Sequence, residues 1–381
     1  VVQRVWQTAA SQPDAPAVCC DGESLSYAQL LARVERIAAA LAAAGVAAGD
    51  RVGICLPRGM LMVEVILASL RLGAVYVPVD THSPALRRQQ ILTAAGVAIV
   101  VQDSALAPPQ GSSIPLLLPP QLTGDATAAS AAVLPDLEQL DLQGDAYILF
   151  TSGSTGNPKG IPVSQLGLAV YVEWARRNYG DRGPLSMPLL SSIAFDLTVS
   201  SLFLPLVTGG TLHVYPSTHE SYDNALLRAV EDNHVNAIKL TPAHLRLLQQ
   251  LDVQRSHLHT LIVGGEQLTV ALAEGTCNRL GSDIRLFNEY GPTEAVVGCM
   301  IHRYRAKGNT TVQGDTAVPI GRPADHTRIY LLNAALQPVL PGVVGEIYIH
   351  RLGAPTAYLR PEDAPEGTFV PDLLDPGASM Y

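Results

Sequence analysis

The sequence is poor in cysteine, and the spacing of the few cysteines argues against two common kinds of site. Five cysteines occur in 381 residues, an odd number. No Cys-x-x-Cys spacing is present, so we expect neither a disulfide framework nor a cysteine-based zinc site. We interpret all five as buried or free thiols of a protein in a reducing cytosol. They are Cys19, Cys20, Cys55, Cys277 and Cys299.

Positively charged residues and long apolar runs are also scarce. Charged residues make up 15% of the chain, and the formal net charge is −9. Nucleic acids and anionic membranes are bound by clustered Lys and Arg, so this balance argues against both partners, although a local basic site for one nucleotide remains compatible with it. The most apolar helix-like run, residues 37–48, is shorter than the roughly 20 residues that a membrane-spanning helix needs. The first ten residues lack the apolar core of a signal peptide. We therefore expect a cytoplasmic protein.

Apolar residues are abundant, at 48%, which is typical of a well-buried globular chain, and the length indicates two or three subdomains. Residues 26–29 have the spacing of a helix capping box. Helix and strand patterns then alternate, which predicts an α/β fold with a mostly parallel sheet covered on both faces. Helices are predicted from Ser26 to the glycines at 45 and 49 and over 60–72, and strands over 51–56, 75–79 and 98–101.

The pattern divides the chain into three predicted parts. Residues 1–145 form a first α/β part, whose last stretch is rich in Pro, Gly and Ser. Residues 146–318 form a second α/β part. In residues 319–381, strand patterns are broken by Gly and Pro, which predicts a smaller β-rich part.

The most informative stretch is a loop of glycines, hydroxyls and one lysine. It reads Thr151-Ser152-Gly153-Ser154-Thr155-Gly156-Asn157-Pro158-Lys159-Gly160. Glycines let backbone N–H groups approach an anion, and the hydroxyls and Lys159 add donors and positive charge, so the loop suits a polyphosphate. It is not a Walker A loop, which needs Gly-Lys-Ser/Thr at its end. A flexible Ser/Gly loop is the alternative, which this ordered string disfavours.

With this loop the chain resembles the adenylate-forming superfamily, in particular the amino-acid-activating adenylation domains of nonribosomal peptide synthetases. Residues 25–30, 70–80, 195–198, 288–294 and 345–359 are similar to further motifs of that family. The resemblance covers essentially the whole chain. It implies the N-terminal core of that fold: two layered α/β subdomains plus a smaller distorted β-barrel. Residues 350–355 depart from the family's glycine-rich form, and we expect this change to alter a surface segment and leave the reaction intact.

The resemblance implies ATP and Mg²⁺ as cofactors. Residues 152–156 and Lys159 would hold the phosphates, Thr293 would hydrogen-bond the α-phosphate, Tyr290 would stack against adenine, and Glu294 would bind Mg²⁺. Alone, Glu294 would fit a solvated surface acid and Tyr290 a core aromatic; the complete Tyr-Gly-Pro-Thr-Glu string favours the functional interpretation. The catalytic residues would be Lys159, Thr293 and Glu294. The nucleotide-binding residues would be Thr151, Ser152, Gly153, Ser154, Thr155, Gly156, Lys159, Gly265, Asn288, Tyr290, Gly291 and Thr293.

An amino-acid pocket is implied by the same resemblance. Asp196 lies in an apolar stretch and, once buried, needs a partner such as a substrate ammonium; the alternative is an N-cap of the following helix. Lys239 and Glu289 would meet the acceptor and donor ends of a carboxamide, whereas an apolar substrate would leave both charges unpaired. We therefore expect L-asparagine, with aspartate and glutamine as alternatives. The pocket residues would be Phe195, Asp196, Leu197, Ser200, Lys239, Ile262, Gly264, Glu289, Val297 and Gly298.

The remaining expectations concern partners and rival functions. The resemblance implies transfer to the phosphopantetheine arm of a peptidyl carrier protein, and it leaves open a need for an MbtH-like helper protein. A C-terminal subdomain with a further catalytic lysine is not present in the 381 residues, so we expect this fragment to form adenylate poorly. The rival functions are an acyl- or aryl-CoA ligase of the same superfamily and a non-catalytic binding fragment. His257 and His259 lack companion ligands, so no metal site is expected there.

Overall fold

The structure is a computed structural model, and it describes residues 1–107, 114–123, 134–152, 158–216, 225–251, 253, 257–281, 283–306 and 317–381. Five residues of the predicted phosphate loop, Gly153, Ser154, Thr155, Gly156 and Asn157, lie outside these ranges, as does the side chain of Ser152.

Helices and strands alternate along most of the chain, as the sequence predicts. The α-helices are α1 (Val2–Ser11), α2 (Tyr27–Ala43), α3 (Met60–Arg71), α4 (Ala85–Ala95), α5 (Pro119–Thr123), α6 (Gln165–Tyr179), α7 (Leu197–Thr208), α8 (Ala225–Glu231), α9 (Pro242–Leu248) and α10 (Val270–Leu280). The strands are β1 (Pro16–Cys20), β2 (Glu23–Ser26), β3 (Arg51–Cys55), β4 (Val75–Pro78), β5 (Ile99–Gln102), β6 (Leu116–Leu117), β7 (Asp145–Ser152), β8 (Pro158–Ser164), β9 (Met187–Leu189), β10 (Leu212–Val214), β11 (Ala237–Leu240), β12 (Thr260–Val263), β13 (Arg285–Tyr290), β14 (Met300–Tyr304), β15 (Arg322–Pro323), β16 (Thr327–Leu332), β17 (Glu346–Arg351), β18 (Val370–Pro371) and β19 (Ser379–Met380).

Local sequence signals explain several helix starts. The Ser26 hydroxyl accepts from the Gln29 backbone N–H, and the Gln29 side chain accepts from the Ser26 N–H, so the predicted capping box at α2 is confirmed. Ser164 caps α6 by accepting from the Gly167 N–H at 3.0 Å, and Thr241 caps α9 with Pro242 at its first position. These caps satisfy N–H groups that have no partner inside a helix.

The first large sheet has the strand order β6-β5-β3-β4-β7-β8. Its pairings are parallel except for β7 with β8. Every residue of β4 and β5 is buried, as expected for parallel strands covered on both faces. The β7–β8 hairpin frames the predicted phosphate loop, because Thr151 pairs with Lys159 across it.

The second large sheet positions the candidate site. Its order is β11-β12-β13-β14-β15, and β11, β12 and β13 run parallel. Ligands in such sheets bind outside the carboxyl ends of the strands, which here meet at one edge. Strands β14 and β15 extend the sheet in antiparallel fashion.

Strand pairing crosses the predicted boundary at residue 145. The third sheet, β2-β1-β10-β9, pairs Val18 with Leu212, and β7 joins the first sheet beside β4. Sheets are therefore shared between the predicted parts on either side of residue 145. The division of the chain at 145 and 318 stays a prediction.

The final part of the chain differs from the expected barrel. Strands β16 and β17 form one two-stranded sheet and β18 and β19 another. Within residues 317–381 no closed barrel is formed; glycines and prolines divide this part into pairs too short to close on themselves. The α/β class itself is confirmed. Among the residues that the structure covers, no helix is both long and apolar enough to cross a membrane.

The expectation that residues 350–355 form a surface segment is wrong for Arg351, although Leu352 is exposed. The Arg351 side chain is buried at 3% exposure. The Ser164 hydroxyl donates to the Gly353 carbonyl at 2.7 Å, which ties this segment to the start of α6.

Candidate active site

A cavity of about 340 Å³ opens at the carboxyl ends of β11, β12 and β13. Its size suits a small ligand. Lys239 on β11, Glu289 on β13 and the glycines that follow β12 bring residues distant in sequence to one edge. The lining residues are Ser191, Phe195, Asp196, Leu197, Lys239, Thr241, His244, Gly264, Gly265, Glu289, Gly291 and Val297.

Most of the predicted pocket residues lie on this cavity, and three lie behind it. Ser200 is fully buried and accepts from the Lys239 ammonium at 2.9 Å. Ile262 is buried in β12 and pairs in register with Lys239 and with Phe287. Gly298 packs against the Glu289 side chain, so that a Cβ at 298 would overlap the carboxyl group.

Three lining residues were missed in the sequence: Ser191, Thr241 and His244. The Thr241 hydroxyl lies 3.1 Å from Nδ1 of His244 within the cap of α9. Their position near strand ends could have indicated them: Thr241, for example, lies directly between β11 and α9, and ligands bind at the carboxyl ends of such strands.

Lys239 and Glu289 form a buried ion pair, with 2.5 Å between Nζ and Oε1 and both side chains 2% exposed. Burial alone disfavours the lysine charge, but Glu289 and Tyr171 outweigh it and raise the pKa of Lys239 above its ordinary value. The expectation that an apolar substrate would leave both charges unpaired is therefore wrong, because the two charges compensate each other.

Two tyrosines of α6 complete this cluster, and neither was identified from the sequence. Tyr171 donates to Glu289 Oε1 at 3.2 Å and accepts from Lys239 at 3.1 Å. The Tyr179 hydroxyl donates to Glu289 Oε2. These tyrosines precede Glu289 by 118 and 110 residues, and no short motif links them. We refer to Tyr171, Tyr179, Ser200, Lys239 and Glu289 as the buried polar cluster.

Asp196 lines the same cavity as Lys239 and Glu289. Although it precedes α7, its side chain makes no capping hydrogen bond, so the N-cap alternative is not supported. Its Oδ2 instead accepts from the Thr293 hydroxyl at 2.8 Å. Burial raises the pKa of Asp196, and the bond from Thr293 lowers it by less. A cationic ligand group would relieve this unfavourable burial of charge.

Glu294 follows Thr293 and is 8% exposed. Its Oε1 accepts from the Tyr358 hydroxyl at 2.7 Å, and the Lys159 ammonium lies 5.4 Å from the centre of the Tyr358 ring. A contiguous path, which we call the Lys159–Asp196 path, therefore runs from Lys159 through Tyr358, Glu294 and Thr293 to Asp196. The predicted phosphate side and the predicted amine anchor thus belong to one region.

The predicted metal ligand, Glu294, does not belong to a larger group of possible ligands among the described residues. In the described part of the chain, no group of three or more His, Cys, Asp or Glu side chains is arranged to hold a metal ion. One carboxylate fits Mg²⁺ where substrate phosphates supply most other ligands, which is the usual arrangement for this ion. Glu294 fits that limited role.

The other predicted nucleotide-binding residues are divided between the cavity and the framework. Gly265 and Gly291 line the cavity. Tyr290 is half-buried and packs beside Ala295 and Met300. The Asn288 amide donates to the carbonyls of Val318 and Pro319 at 3.2 and 3.0 Å, so it fixes the neighbouring segment.

Sequence comparison decides the family. The AMP-binding enzyme family matches residues 5–359 of this chain. The chain belongs to that family. The resemblance drawn from the motifs is thereby confirmed, and the relatives of this AMP-binding chain include large peptide synthases. Tyrocidine synthase 3 of Brevibacillus parabrevis is 38% identical over 384 residues, covering 100% of this chain and 6% of the synthase. Bacitracin synthase 3 of Bacillus licheniformis is 37% identical over 386 residues, with the same coverage of 100% and 6%. This AMP-binding chain thus spans a small fraction of either protein.

Solved structures agree with the fold. An artificially fused adenylation–PCP di-domain, NpsA-ThdA of Klebsiella oxytoca, superposes with a TM-score of 0.86 at 25% identity, covering 100% of this chain and 74% of that one. The Klebsiella oxytoca NpsA N-terminal subdomain in complex with 3-hydroxybenzoyl-AMSN gives a TM-score of 0.85 at 24% identity, covering 100% and 94%. The AMP-binding chain therefore has the fold of an adenylation-domain N-terminal subdomain.

Proposed function

We propose that this chain is the core of an enzyme that activates an amino acid with ATP, forming an aminoacyl-AMP and releasing pyrophosphate. The observation that supports the proposal is the Lys159–Asp196 path, which joins the hairpin around the predicted phosphate loop to the predicted amine anchor beside a cavity of suitable size.

The reaction needs positioning and charge neutralisation more than an internal base. The substrate carboxylate, already ionised at pH 7, attacks the α-phosphorus, and the bond to pyrophosphate breaks. Both reactants are anionic, so catalysis depends on orienting them and on cationic and hydrogen-bonding groups. Lys159 and residues 152–156 would hold the phosphates, and Thr293 would contact the α-phosphate.

We further propose that Tyr290, Gly265, Asn288 and Gly291 form the adenine side of the site, and that Glu294 supplies one Mg²⁺ ligand. The magnesium would neutralise phosphate charge. Chelation with EDTA should abolish adenylate formation without changing the melting temperature. A marked fall in melting temperature would instead indicate a structural metal.

The buried polar cluster supports L-asparagine as the substrate. The three donors of the Lys239 ammonium are matched by Glu289, Tyr171 and Ser200. Glu289 can accept about four hydrogen bonds, and Lys239, Tyr171 and Tyr179 supply three close ones. The remaining capacity suits an N–H donor, which a carboxamide has and an aspartate carboxylate lacks. Glutamine is the nearer alternative, differing by one methylene that is worth roughly 1–3 kcal/mol in such pockets.

The test is ATP–pyrophosphate exchange by the intact protein that carries this chain, across the twenty amino acids. We expect asparagine to give the strongest signal and aspartate a weak one. A matched variant, Glu289→Gln, should reduce the preference for asparagine over alanine. If asparagine gives no more exchange than alanine or leucine, the substrate assignment is wrong; if no amino acid supports exchange, the function is wrong.

Asp196 distinguishes this proposal from the rival function of an acyl- or aryl-CoA ligase. An acid without an ammonium group would leave the buried carboxylate of Asp196 without a cationic partner. Exchange supported by benzoate or a fatty acid in preference to every amino acid would favour the rival.

We also propose that the product is loaded onto the phosphopantetheine thiol of a peptidyl carrier protein. The similarity to a fused adenylation–PCP protein supports this partner. Thioester formation on a purified holo-carrier, with and without an added MbtH-like protein, tests both partners. Loading that the helper does not alter would remove the helper from the proposal.

A further inference from the structure

Arg351 is a buried cation that none of the proposed catalytic steps uses. It ends β17, where the resemblance predicts a glycine-rich segment, and only 3% of it is exposed. Its Nη1 donates to three backbone carbonyls: Val296 at 2.9 Å, Ala295 at 3.0 Å and Gly298 at 2.6 Å. One side chain therefore binds the whole turn between Ala295 and Gly298.

That turn has an unfavourable backbone. Val296 and Val297 have φ values of +61° and +64°. β-Branched residues rarely adopt left-handed conformations. Such conformations persist where the surrounding structure holds them. The charge-assisted bonds from Arg351 supply such a hold, because hydrogen bonds from an ionised donor are stronger than neutral ones. The turn matters to the site because Val297 lines the cavity and Gly298 packs against Glu289.

Arg351 also contacts the buried polar cluster. Its guanidinium carbon lies 5.6 Å from the centre of the Tyr171 ring, within the range of a cation–π interaction. The hydroxyl of the same tyrosine donates to Glu289 and accepts from Lys239. Arg351 thus connects the Val297 turn to the buried polar cluster without lining the cavity.

We propose that Arg351 is a specificity-positioning residue: it fixes the Val297 turn and the Tyr171 ring together, so that Glu289 presents one orientation to the substrate side chain. This inference rests on the proposed amino-acid activation and extends it to a residue outside the pocket. It assigns Arg351 to selection of the side chain, not to ATP binding or to transfer at phosphorus.

The test uses the intact protein with Arg351→Met and Arg351→Lys. We expect Arg351→Met to raise KM for asparagine about tenfold and to reduce the preference over alanine by a similar factor, while kcat and KM for ATP change less than about threefold. Arg351→Lys keeps the charge but loses the planar fork, so its KM should be intermediate. Combining Arg351→Lys with Val297→Ala should raise KM by less than the product of the single effects.

Arg328→Met is the matched control. Arg328 lies on the neighbouring strand β16, opposite His350, and pairs with Asp372 at 3.1 Å, away from the Val297 turn. We expect this variant to lose some thermal stability but to keep the asparagine KM. A merely structural role for Arg351 would likewise lower the melting temperature and the amount of active enzyme, with KM and preference unchanged.

The possible failures are distinguishable. Unchanged asparagine KM and unchanged preference in the folded Arg351 variants would overturn this inference and leave the proposed function standing. If Arg351→Met does not fold, the Arg351→Lys result decides by the same criterion. Absence of exchange by the unmodified protein with every amino acid would overturn the proposed function and this inference with it.

Discussion

Lys239 and Glu289 stabilise each other's charge in a buried environment that disfavours either charged side chain alone. Each side chain is 2% exposed, so removing one leaves the other as an uncompensated buried charge. Breaking a buried pair in this way costs roughly 3–5 kcal/mol, whereas replacing both partners by apolar residues is often far less harmful.

We therefore expect Lys239→Met and Glu289→Met each to lower the stability by about 3–5 kcal/mol. The double variant should be less destabilised than the sum of the two. The measurement is a double-mutant cycle on the unfolding transition. Arg177→Met, which removes an exposed ion pair with Asp325, should change stability by less than about 1 kcal/mol. Additive losses in the cycle would contradict the coupling.

The buried carboxyl group of Asp196, proposed to bind the substrate ammonium, makes the stability of the fold depend on pH. Burial raises the pKa of Asp196, with Thr293 opposing the shift. The carboxyl group of Asp196 therefore stays protonated to a higher pH in the folded protein than in the unfolded chain. The unfolded value is about 3.9. The stabilising contribution of this group is complete below the unfolded pKa and decreases as the pH rises towards the folded pKa, because the folded state then binds more protons than the unfolded state.

We expect Asp196→Asn to melt at a higher temperature than the unmodified protein at pH 8, because the variant has no buried charge. The difference should shrink as the pH falls towards about 4, and amino-acid binding should be lost at every pH. Melting curves across this pH range test the sign. The exposed control Asp283→Asn should show no such trend; a lower melting temperature for Asp196→Asn at pH 8 would refute the argument.

At the scale of elements, the start of α6 packs backbone to backbone against the segment that follows β17. Gly167 makes this approach possible, because a Cβ there would overlap the Gly353 carbonyl. Gly275, in α10, is a matched comparison: a Cβ there would lie 3.2 Å from the end of the Gln249 side chain.

We expect Gly167→Ala to destabilise the protein by roughly 1–3 kcal/mol through overpacking. Gly275→Ala should stay within about 1 kcal/mol of the unmodified protein, because alanine favours the helix and the neighbour is a side chain. Thermal or urea unfolding measures both. Equal effects of the two substitutions would show that the contact with Gly353 is not limiting.

The sequence predicted elements better than it predicted the partners of buried groups. The α2 capping box, helix α3 and strands β3, β4 and β5 follow from local pattern. The roles of Tyr171 and Arg351 do not, because their partners are 118 and 53 to 56 residues away. A single sequence contains no signal for such pairs. For the same reason the compensation of Lys239 by Glu289 was missed, although both residues were identified.

At the scale of the whole molecule, the five cysteines are free thiols, as the sequence predicts, and three of them are buried. Burial raises the pKa of Cys55 and of Cys299 to about 12 and that of Cys277 to about 11. The thiolate is the reactive form, so these three should be nearly inert while the fold is intact.

We expect a disulfide reagent such as DTNB to label at most Cys19 and Cys20 in the native protein, and all five thiols after unfolding in guanidinium. The two counts come from the same absorbance trace before and after denaturant. Fast labelling of a third thiol in the native state would reveal local opening around one of the buried cysteines.

Because residue 298 is glycine, the Glu289 carboxyl group occupies the space that a Cβ at position 298 would need. The two positions therefore share one volume. An engineer who wishes to retune the pocket cannot enlarge 298 and keep a glutamate at 289; a bulkier residue at one requires a shorter residue at the other. Redesign of substrate choice in this chain should proceed by paired exchanges at 289 and 298, because single exchanges at 298 meet a steric barrier before selectivity can change.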